Sequence, residues 1–231
     1  MRNVVFLPGF MCDENLWADI RFGFIGLGQP YFGDYGTGET FAEMATSVLK
    51  SAPARFSLIG FSMGGYVARE IALQAPERVE ALVLVGTSAR GDDPNKTLQK
   101  EGLAKLTRRS SFRGLSRLAC KTSLHPERMD NDELLDRIQA MALRVGKAAF
   151  IRQLLLFRND SHDKLKDIQI PTLVISARQD QLRSIEEANE LASGIPDAKL
   201  AIIENCGHMI PMEQPGPFLD VITDWLDRER V

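Results

Sequence analysis

Short apolar runs alternate along this chain with stretches of helical periodicity. The runs with strand character lie at residues 3–7, 56–59, 79–85, 170–176 and 198–204, with a weaker candidate at 29–34. Between them, apolar residues recur at helical spacing after Thr40, after Ser62, after Ser184 and over 215–230. Continuously apolar strands that alternate with helices predict an α/β fold, in which a mostly parallel sheet carries helices on both faces.

The alternation stops between residues 88 and 165, where the apolar positions have helical spacing only. One amphipathic helix, with Asp130 as its N-cap, is predicted from a set of apolar residues: Leu134, Leu135, Ile138, Met141, Ala142 and Val145. This helical pattern is predicted to continue over 150–157, and another helix is predicted at 95–109. A helical segment placed between two strands of a sheet is typical of a lid.

The length of 231 residues and the 44% hydrophobic content fit one globular domain with an inserted part. We therefore predict an α/β core formed by residues 1–87 and 166–231, and a helical lid formed by residues 88–165.

One turn carries a chemical motif. Gly60-Phe61-Ser62-Met63-Gly64-Gly65 joins the apolar run at 56–59 to a helical pattern. A serine in a G-x-S-x-G turn between a strand and a helix takes a strained conformation that exposes its hydroxyl. The glycines leave room for the neighbouring strand and helix, and the helix N-terminus favours negative charge near the serine. This context predicts that Ser62 is a nucleophile, the alternative being a glycine-rich turn with an incidental serine.

A nucleophilic serine needs a base and a group that orients the base. The strand predicted at 170–176 leads to Asp180, and the strand predicted at 198–204 leads to His208. Because the carboxyl ends of parallel strands meet at one edge of a sheet, these side chains are expected near Ser62. The chain order Ser, Asp, His resembles that of α/β-hydrolases. We predict Ser62 as nucleophile, His208 as general base and Asp180 as its orienting acid.

Other histidines and acids compete for these roles. His125 and His162 lie in the helical segment, and Asp163 and Asp197 are the alternative acids. None of the four follows a predicted strand, so we expect surface or capping roles for the two histidines. Asp163 or Asp197 would orient the base if Asp180 were only an exposed loop acid.

The oxyanion formed in acyl transfer needs two backbone donors. One is predicted to be the N–H of Met63, and the other the N–H of Phe10 in the loop after the first strand. Gly9 lets that loop approach closely, although the same residues also fit an ordinary turn. Three apolar residues are candidates for the substrate pocket, with the core as their alternative location: Met209, Met141 and Phe157.

Over nearly its whole length the sequence resembles a serine-type α/β-hydrolase. The resemblance rests on five stretches: Leu7-Pro8-Gly9-Phe10, the turn around Ser62, Ala75-Pro76-Glu77-Arg78-Val79, Asp180 and Gly207-His208. Within that superfamily it is most similar to small carboxylesterases of the type that demethylates the pimeloyl carrier ester. It departs from the pattern in two ways. The first strands of the usual fold are missing, and Pro8 stands where a histidine is usual.

Charge and cysteine content exclude several classes of function. The net charge of −3 gives no support for nucleic-acid binding, and no segment approaches the ~18 consecutive apolar residues of a membrane span. Cys12, Cys120 and Cys206 are odd in number and widely spaced, which predicts unpaired thiols and a cytoplasmic location. They also lack the paired spacing of a metal site, so no metal is expected.

The middle of the chain is basic, since residues 90–164 contain 16 Lys and Arg against 10 Asp and Glu. Five basic residues recur at every fourth position: Lys105, Arg109, Arg113, Arg117 and Lys121. On one helix they would form a stripe, which Gly114 would interrupt if it ended the helix. The stripe would steer an anionic substrate or dock an acidic carrier protein. The alternative is a solvated lid surface with distributed counterions.

These observations predict a serine hydrolase that cleaves a carboxylic ester through an acyl-enzyme, without a metal or an organic cofactor. The expected partner is a small-molecule ester, either free and anionic or carried on an acidic carrier protein. The same three catalytic side chains and two backbone donors also fit hydrolysis of a lactone or a carbon–carbon bond, acyl transfer, or a small-molecule receptor with residual hydrolysis.

Overall fold

A computed structural model describes residues 2–229. Its centre is a six-stranded sheet in the order β2-β1-β3-β4-β5-β6, and every pair of neighbours in it is parallel. The strands are β1 (Asn3–Leu7), β2 (Gln29–Phe32), β3 (Phe56–Phe61), β4 (Val79–Val85), β5 (Thr172–Ala177) and β6 (Lys199–Ile203). The predicted α/β fold is therefore confirmed.

The helices alternate with the strands outside the segment 88–165. They are α1 (Phe24–Leu27), α2 (Phe41–Ser51), α3 (Met63–Gln74), α4 (Pro94–Arg109), α5 (Arg117–Lys121), α6 (Asp132–Leu155), α7 (His162–Leu165), α8 (Ile185–Gly194), α9 (Ile210–Glu213) and α10 (Pro215–Arg228), with 3₁₀ turns at Glu14–Gly23, Pro76–Arg78 and Pro126–Arg128. Arg230, the predicted end of the last helix, lies outside the described residues. Each helix within 2–229 is too short or too polar to traverse a lipid bilayer.

The sheet separates two hydrophobic cores because successive strand residues point to opposite faces. Phe6 packs into the core that contains the 3₁₀ turn at Glu14–Gly23 and helix α10. Its neighbour Leu7 packs into the other core, against helices α2, α3 and α8. Both faces are therefore covered, as a parallel sheet requires.

The strand order reverses between β1 and β3. From β1 the chain crosses to β2 at one edge, whereas from β3 it proceeds through β4 and β5 to β6 at the other. Leu7 at the end of β1 is in register with Gly60 near the end of β3. The loops that follow these two strands therefore open on the same crevice, which is where open α/β sheets bind ligands.

The segment between β4 and β5 is helical, as predicted, but two details of α6 differ. Its N-cap is Asn131 rather than Asp130, since the Asn131 side chain accepts the N–H of Leu134 (3.1 Å). Asp130 instead contacts Lys121. The helix also kinks at Gly146, whose φ of 84° only glycine adopts readily, and it ends at Leu155 rather than at residue 157.

The basic residues of this segment do not form one stripe. Helix α4 ends at Arg109 and α5 begins at Arg117, and the intervening chain contains Gly114 with a φ of 81°. Arg117 forms ion pairs with Asp132 and with Asp136, the latter at 3.0 Å. The interrupted arrangement is thus the correct one, and part of its charge is locally neutralised.

Candidate active site

The turn after β3 holds Ser62 in a conformation that few non-glycine residues adopt, with φ 52° and ψ −111°. Its N–H donates to the carbonyl of Val85 (2.8 Å), and its carbonyl accepts from the hydroxyl of Thr87 (2.8 Å). The neighbouring glycines allow this close packing. A Cβ at Gly60 would lie 2.6 Å from the Gly64 carbonyl oxygen. The strain expected at a nucleophilic serine is therefore present and supported on both sides.

The structure brings the three predicted catalytic side chains together across 146 positions of sequence. His208 Nε2 lies 2.9 Å from Ser62 Oγ, and His208 Nδ1 lies 2.6 Å from Asp180 Oδ2. The Asp180 side chain is fully buried, and that of His208 is 7% exposed. Such a chain of hydrogen bonds lets the imidazole take the serine proton while the carboxylate stabilises the imidazolium.

The carboxylate of Asp180 is held by its own loop. Its Oδ1 accepts the backbone N–H groups of Leu182 (2.7 Å) and Arg183 (3.0 Å), which leaves Oδ2 for the histidine. The His208 ring packs on Phe61, with 5.0 Å between ring centroids. These contacts restrict the orientation of both side chains.

A buried glutamate holds the loop that follows β6 and contains His208, here called the histidine loop. The side chain of Glu213 is fully buried and accepts hydrogen bonds from the N–H of Gly207 (3.1 Å), the N–H of His125 (2.8 Å) and Nε of Arg128 (3.0 Å). His125, the alternative catalytic base, therefore lies beside the histidine loop as a donor of its backbone N–H. Glu213 carried no motif in the sequence, and only the fold reveals its role.

The two predicted oxyanion donors lie at the ends of neighbouring strands. Met63 is the first residue of α3, and Phe10 lies in the turn after β1. Within residues 2–229 neither backbone N–H donates to a protein acceptor. A Cβ at Gly9 would lie 2.8 Å from the Phe61 ring, so glycine is needed for the turn to approach the serine.

A cavity of about 250 Å³ opens at Ser62 and His208. Its wall is mostly apolar, and among residues 2–229 no lysine or arginine lines it. Besides Ser62 and His208, the residues that line it are Phe10, Cys12, Phe61, Leu115, Ala119, Cys120, Thr122, Ser123, Ile138, Leu182 and Met209. Of the three predicted pocket residues, the structure places Met209 in this wall. Leu115, Ala119 and Ile138 were not predicted, because apolar residues on a helical segment give no signal that separates a pocket wall from a core.

The other two predicted pocket residues lie elsewhere. Met141 is 1% exposed and belongs to the core on the α10 face of the sheet. Phe157 is 55% exposed and lines a separate cavity with Tyr66 and Arg69. The structure therefore does not bring Met141 and Phe157 into the cavity at Ser62, because helical spacing indicates the buried face of an element but not which space that face borders.

The thiols near the site are unreactive by environment. Burial raises the pKa of Cys12 to about 12 and also raises that of Cys206. A protonated thiol is a poor nucleophile and a poor metal ligand, so Cys12 and Cys206 are poor candidates for either role at neutral pH. Between residues 2 and 229, no three His, Cys, Asp or Glu side chains cluster as metal ligands would.

Comparison with known proteins places this geometry in a family. A family model described as serine aminopeptidase, S33, matches residues 39–215. The chain belongs to this family. A solved structure similar to this S33-family chain is that of a thermophilic esterase from Thermogutta terrifontis, with a TM-score of 0.88 and 26% identity, covering 100% of this chain and 91% of that one. The predicted membership of the serine α/β-hydrolases is thereby confirmed.

Two curated relatives of this S33-family chain differ in their substrates. It is 30% identical over 185 residues to a 2-hydroxy-6-oxononadienedioate/2-hydroxy-6-oxononatrienedioate hydrolase of Pseudomonas putida, covering 74% of this chain and 63% of that protein. It is 26% identical over 223 residues to a pimeloyl-[acyl-carrier protein] methyl ester esterase of Vibrio parahaemolyticus, covering 92% and 86%. The chain thus aligns with less than two thirds of the Pseudomonas protein.

Proposed function

We propose that this protein is a carboxylesterase that uses Ser62, His208 and Asp180 as a catalytic triad. The observation that carries the proposal is the continuous hydrogen-bond chain from Ser62 Oγ through the His208 ring to Asp180, with links of 2.9 and 2.6 Å. The serine end of this hydrogen-bond chain lies at an apolar cavity, beside the point where the strand order of the sheet reverses. A substrate carbonyl in that cavity would have access to the serine.

The reaction proceeds in two halves. Ser62 attacks the ester carbonyl while His208 takes its proton, and the N–H groups of Phe10 and Met63 stabilise the resulting oxyanion. His208 then protonates the departing alcohol, which leaves an acyl-enzyme. Water, deprotonated by His208, attacks this intermediate and releases the acid. No step uses a metal or an organic cofactor, and residues 88–165 act as the lid of the cavity.

The cavity wall favours an uncharged ester group over a dicarboxylate. The name of the Pseudomonas relative specifies a dioate, whose two carboxylates need cationic or donor groups when they are buried. In the part of the chain that the structure describes, no lysine or arginine lines the cavity at Ser62, and the cavity volume of about 250 Å³ suits a small apolar group. Ester hydrolysis is therefore better supported than cleavage of a carbon–carbon bond in a dioate.

A burst assay with p-nitrophenyl acetate tests the proposal. The wild type should release p-nitrophenol in a burst equal to the enzyme concentration and then turn over, and Ser62→Ala should abolish both phases. Ser193→Ala is the matched control, because Ser193 lies exposed on α8. A burst that survives in Ser62→Ala refutes the triad. A wild type that binds esters without turnover identifies a receptor. Methyl acetate formed in excess over acetate at a methanol concentration far below that of water identifies acyl transfer.

A second candidate function is hydrolysis of an ester carried on an acidic protein. Arg113 is exposed and lines a groove of about 600 Å³ between α4 and α6. This groove shares Phe10, Leu115 and Ala119 with the catalytic cavity, so it leads towards Ser62. Arg109 lies nearby in the chain, and within residues 2–229 neither arginine has an ion-pair partner. The Vibrio relative is named for such a carrier substrate.

Charge reversal separates carrier docking from general esterase activity. Arg113→Glu should raise KM for a carrier-linked ester at least tenfold and leave KM for p-nitrophenyl acetate unchanged. Arg117→Glu is the control, because Arg117 is engaged by two aspartates. Equal losses on both substrates, or equal losses in both variants, would rule out docking at this groove.

We also propose a cytoplasmic location, which the odd number of unpaired cysteines supports.

A further inference from the structure

Several polar backbone groups of the turn after β1, residues 8–12, have hydrogen-bond partners. The Pro8 carbonyl accepts from the Tyr35 hydroxyl (2.6 Å), and the Gly9 carbonyl accepts from the N–H of Cys12 (3.1 Å). The Gly9 carbonyl and the Phe10 N–H belong to one peptide plane. Fixing that carbonyl therefore also fixes the direction of the Phe10 N–H.

The next peptide plane is held by a residue far away in sequence. The N–H of Met11 donates to Oε1 of Gln153 (2.9 Å), 142 positions along the chain. Gln153 lies on α6 beyond the kink at Gly146 and is 6% exposed. The bond is therefore buried, so loss of its acceptor leaves the Met11 N–H unsatisfied in the interior.

Met11 needs this support because its backbone is left-handed. Its φ is 56°, a conformation unfavourable for a residue with a side chain, and its side chain is 1% exposed against Ala142 and Phe150. The ring of Phe150 also packs on Phe10, with centroids 5.7 Å apart. Helix α6 thus holds both the backbone and the side chains of the turn.

We propose that Gln153 is a positioning residue that keeps the turn after β1 in the form in which the Phe10 N–H points at the oxyanion. Without the acceptor, the Met11 N–H is buried and unsatisfied, and its left-handed conformation loses the bond that offsets its strain. The peptide between Phe10 and Met11 then rotates to find another acceptor. When Met11 leaves its left-handed conformation, the turn opens and the Cys12 N–H no longer holds the Gly9 carbonyl. The Phe10 N–H shares a peptide plane with that carbonyl, so it loses its direction and catalysis falls without removal of any group of the triad. The inference rests on the proposed esterase mechanism.

Three variants test this role in the full-length protein. Gln153→Leu keeps the side-chain volume and removes the acceptor, whereas Gln153→Glu keeps an acceptor oxygen. Arg137→Gln is the control for general loosening of α6, because it removes an ion pair to Asp19 (2.5 Å) that lies away from the turn. The readouts are kcat and KM for p-nitrophenyl acetate and Ki for an alkyl trifluoromethyl ketone, whose Ser62 adduct carries the oxyanion.

We expect Gln153→Leu to lower kcat about 10–100-fold with KM changed less than threefold, and to raise Ki of the ketone by the same factor as kcat/KM falls. Gln153→Glu should recover most of the activity, and Arg137→Gln should match the wild type. An unchanged kcat in Gln153→Leu overturns the inference. It is also overturned if Gln153→Glu, or Arg137→Gln, loses as much activity as Gln153→Leu.

The same experiment separates this inference from the proposed function. A wild type that neither turns over the ester nor binds the ketone refutes the esterase mechanism itself. A wild type that does both, beside a Gln153→Leu variant with unchanged kcat and Ki, refutes only the role of Gln153.

Discussion

Replacing Gly64 with alanine tests how tightly the serine turn is packed against the first strand. A Cβ at position 64 would lie 2.3 Å from the Leu7 carbonyl oxygen and 2.7 Å from that of Pro8. Both are backbone atoms, so no side chain can rotate away to make room. The end of β1, which leads into the turn after β1 that contains Phe10, has to move relative to Ser62.

The size of the effect follows from these distances. Restoring ordinary contact with the Leu7 oxygen requires a shift of about 1 Å, and a displacement of that size in a catalytic site costs about 100-fold in rate. Overpacking of a rigid interior costs about 1–3 kcal/mol of unfolding free energy. For a protein of this length, each kcal/mol corresponds to a fall in Tm of about 2–4 °C.

The assay is kcat/KM for p-nitrophenyl acetate together with Tm from differential scanning calorimetry. Gly102→Ala is the matched control, because a Cβ there meets nothing within 4 Å and Gly102 lies on α4. That variant should keep full activity and gain about 0.5–1 kcal/mol from helix propensity. If Gly64→Ala loses stability but keeps wild-type kcat/KM, the coupling between β1 and the serine turn is refuted.

Three further predictions concern charged groups. Asp180→Asn should lower kcat about 10⁴-fold with little change in Tm, because His208 loses its orienting partner; a loss below tenfold would contradict this role. Glu213→Leu should lower the free energy of unfolding, measured in urea, by about 3–5 kcal/mol, because the donors that Glu213 accepts from are left without an acceptor. A loss under 1 kcal/mol would contradict this role. The hydrogen bond to Asp160 raises the pKa of His162, so this ring stabilises the fold at low pH and the contribution disappears as pH rises through the raised pKa. The Tm difference between wild type and His162→Gln should therefore be larger at about pH 5.5 than at about pH 9, and a pH-independent difference would refute it.

The elements of the core were predictable because their patterns are local. Continuous apolar runs identified the strands, and helical spacing identified the helices that begin after Thr40 and Ser184, which the structure shows to be their N-caps. The N-cap of α6 was assigned one residue early, since Asp130 and Asn131 both have the chemistry of a cap. Sequence alone does not show which of two adjacent cap residues has a competing partner, here Lys121 for Asp130.

The candidate triad was predictable for a different reason. Parallel strands bring their carboxyl ends together, so the residues that follow two strands were expected near the serine whatever their distance in sequence. The cavity wall was not predictable in this way. Leu115 and Ala119 reach it only through the turn at Gly114, and Gln153 reaches the Phe10 turn only through the kink at Gly146. Such tertiary contacts leave no periodic signal.

The helical segment, residues 88–165, forms hydrogen bonds to both loops of the candidate site, the turn after β1 and the loop that contains His208. Gln153 holds the turn after β1, while the carbonyl of Ser123 accepts the N–H of Met209 (3.1 Å) beside the histidine. Exchanging residues 88–165 for those of a relative, in order to transplant a substrate preference, would therefore replace structural partners of the core as well. A productive graft has to carry matching changes at residues 10–13 and 205–213, so selectivity and turnover are not separately exchangeable modules in this chain.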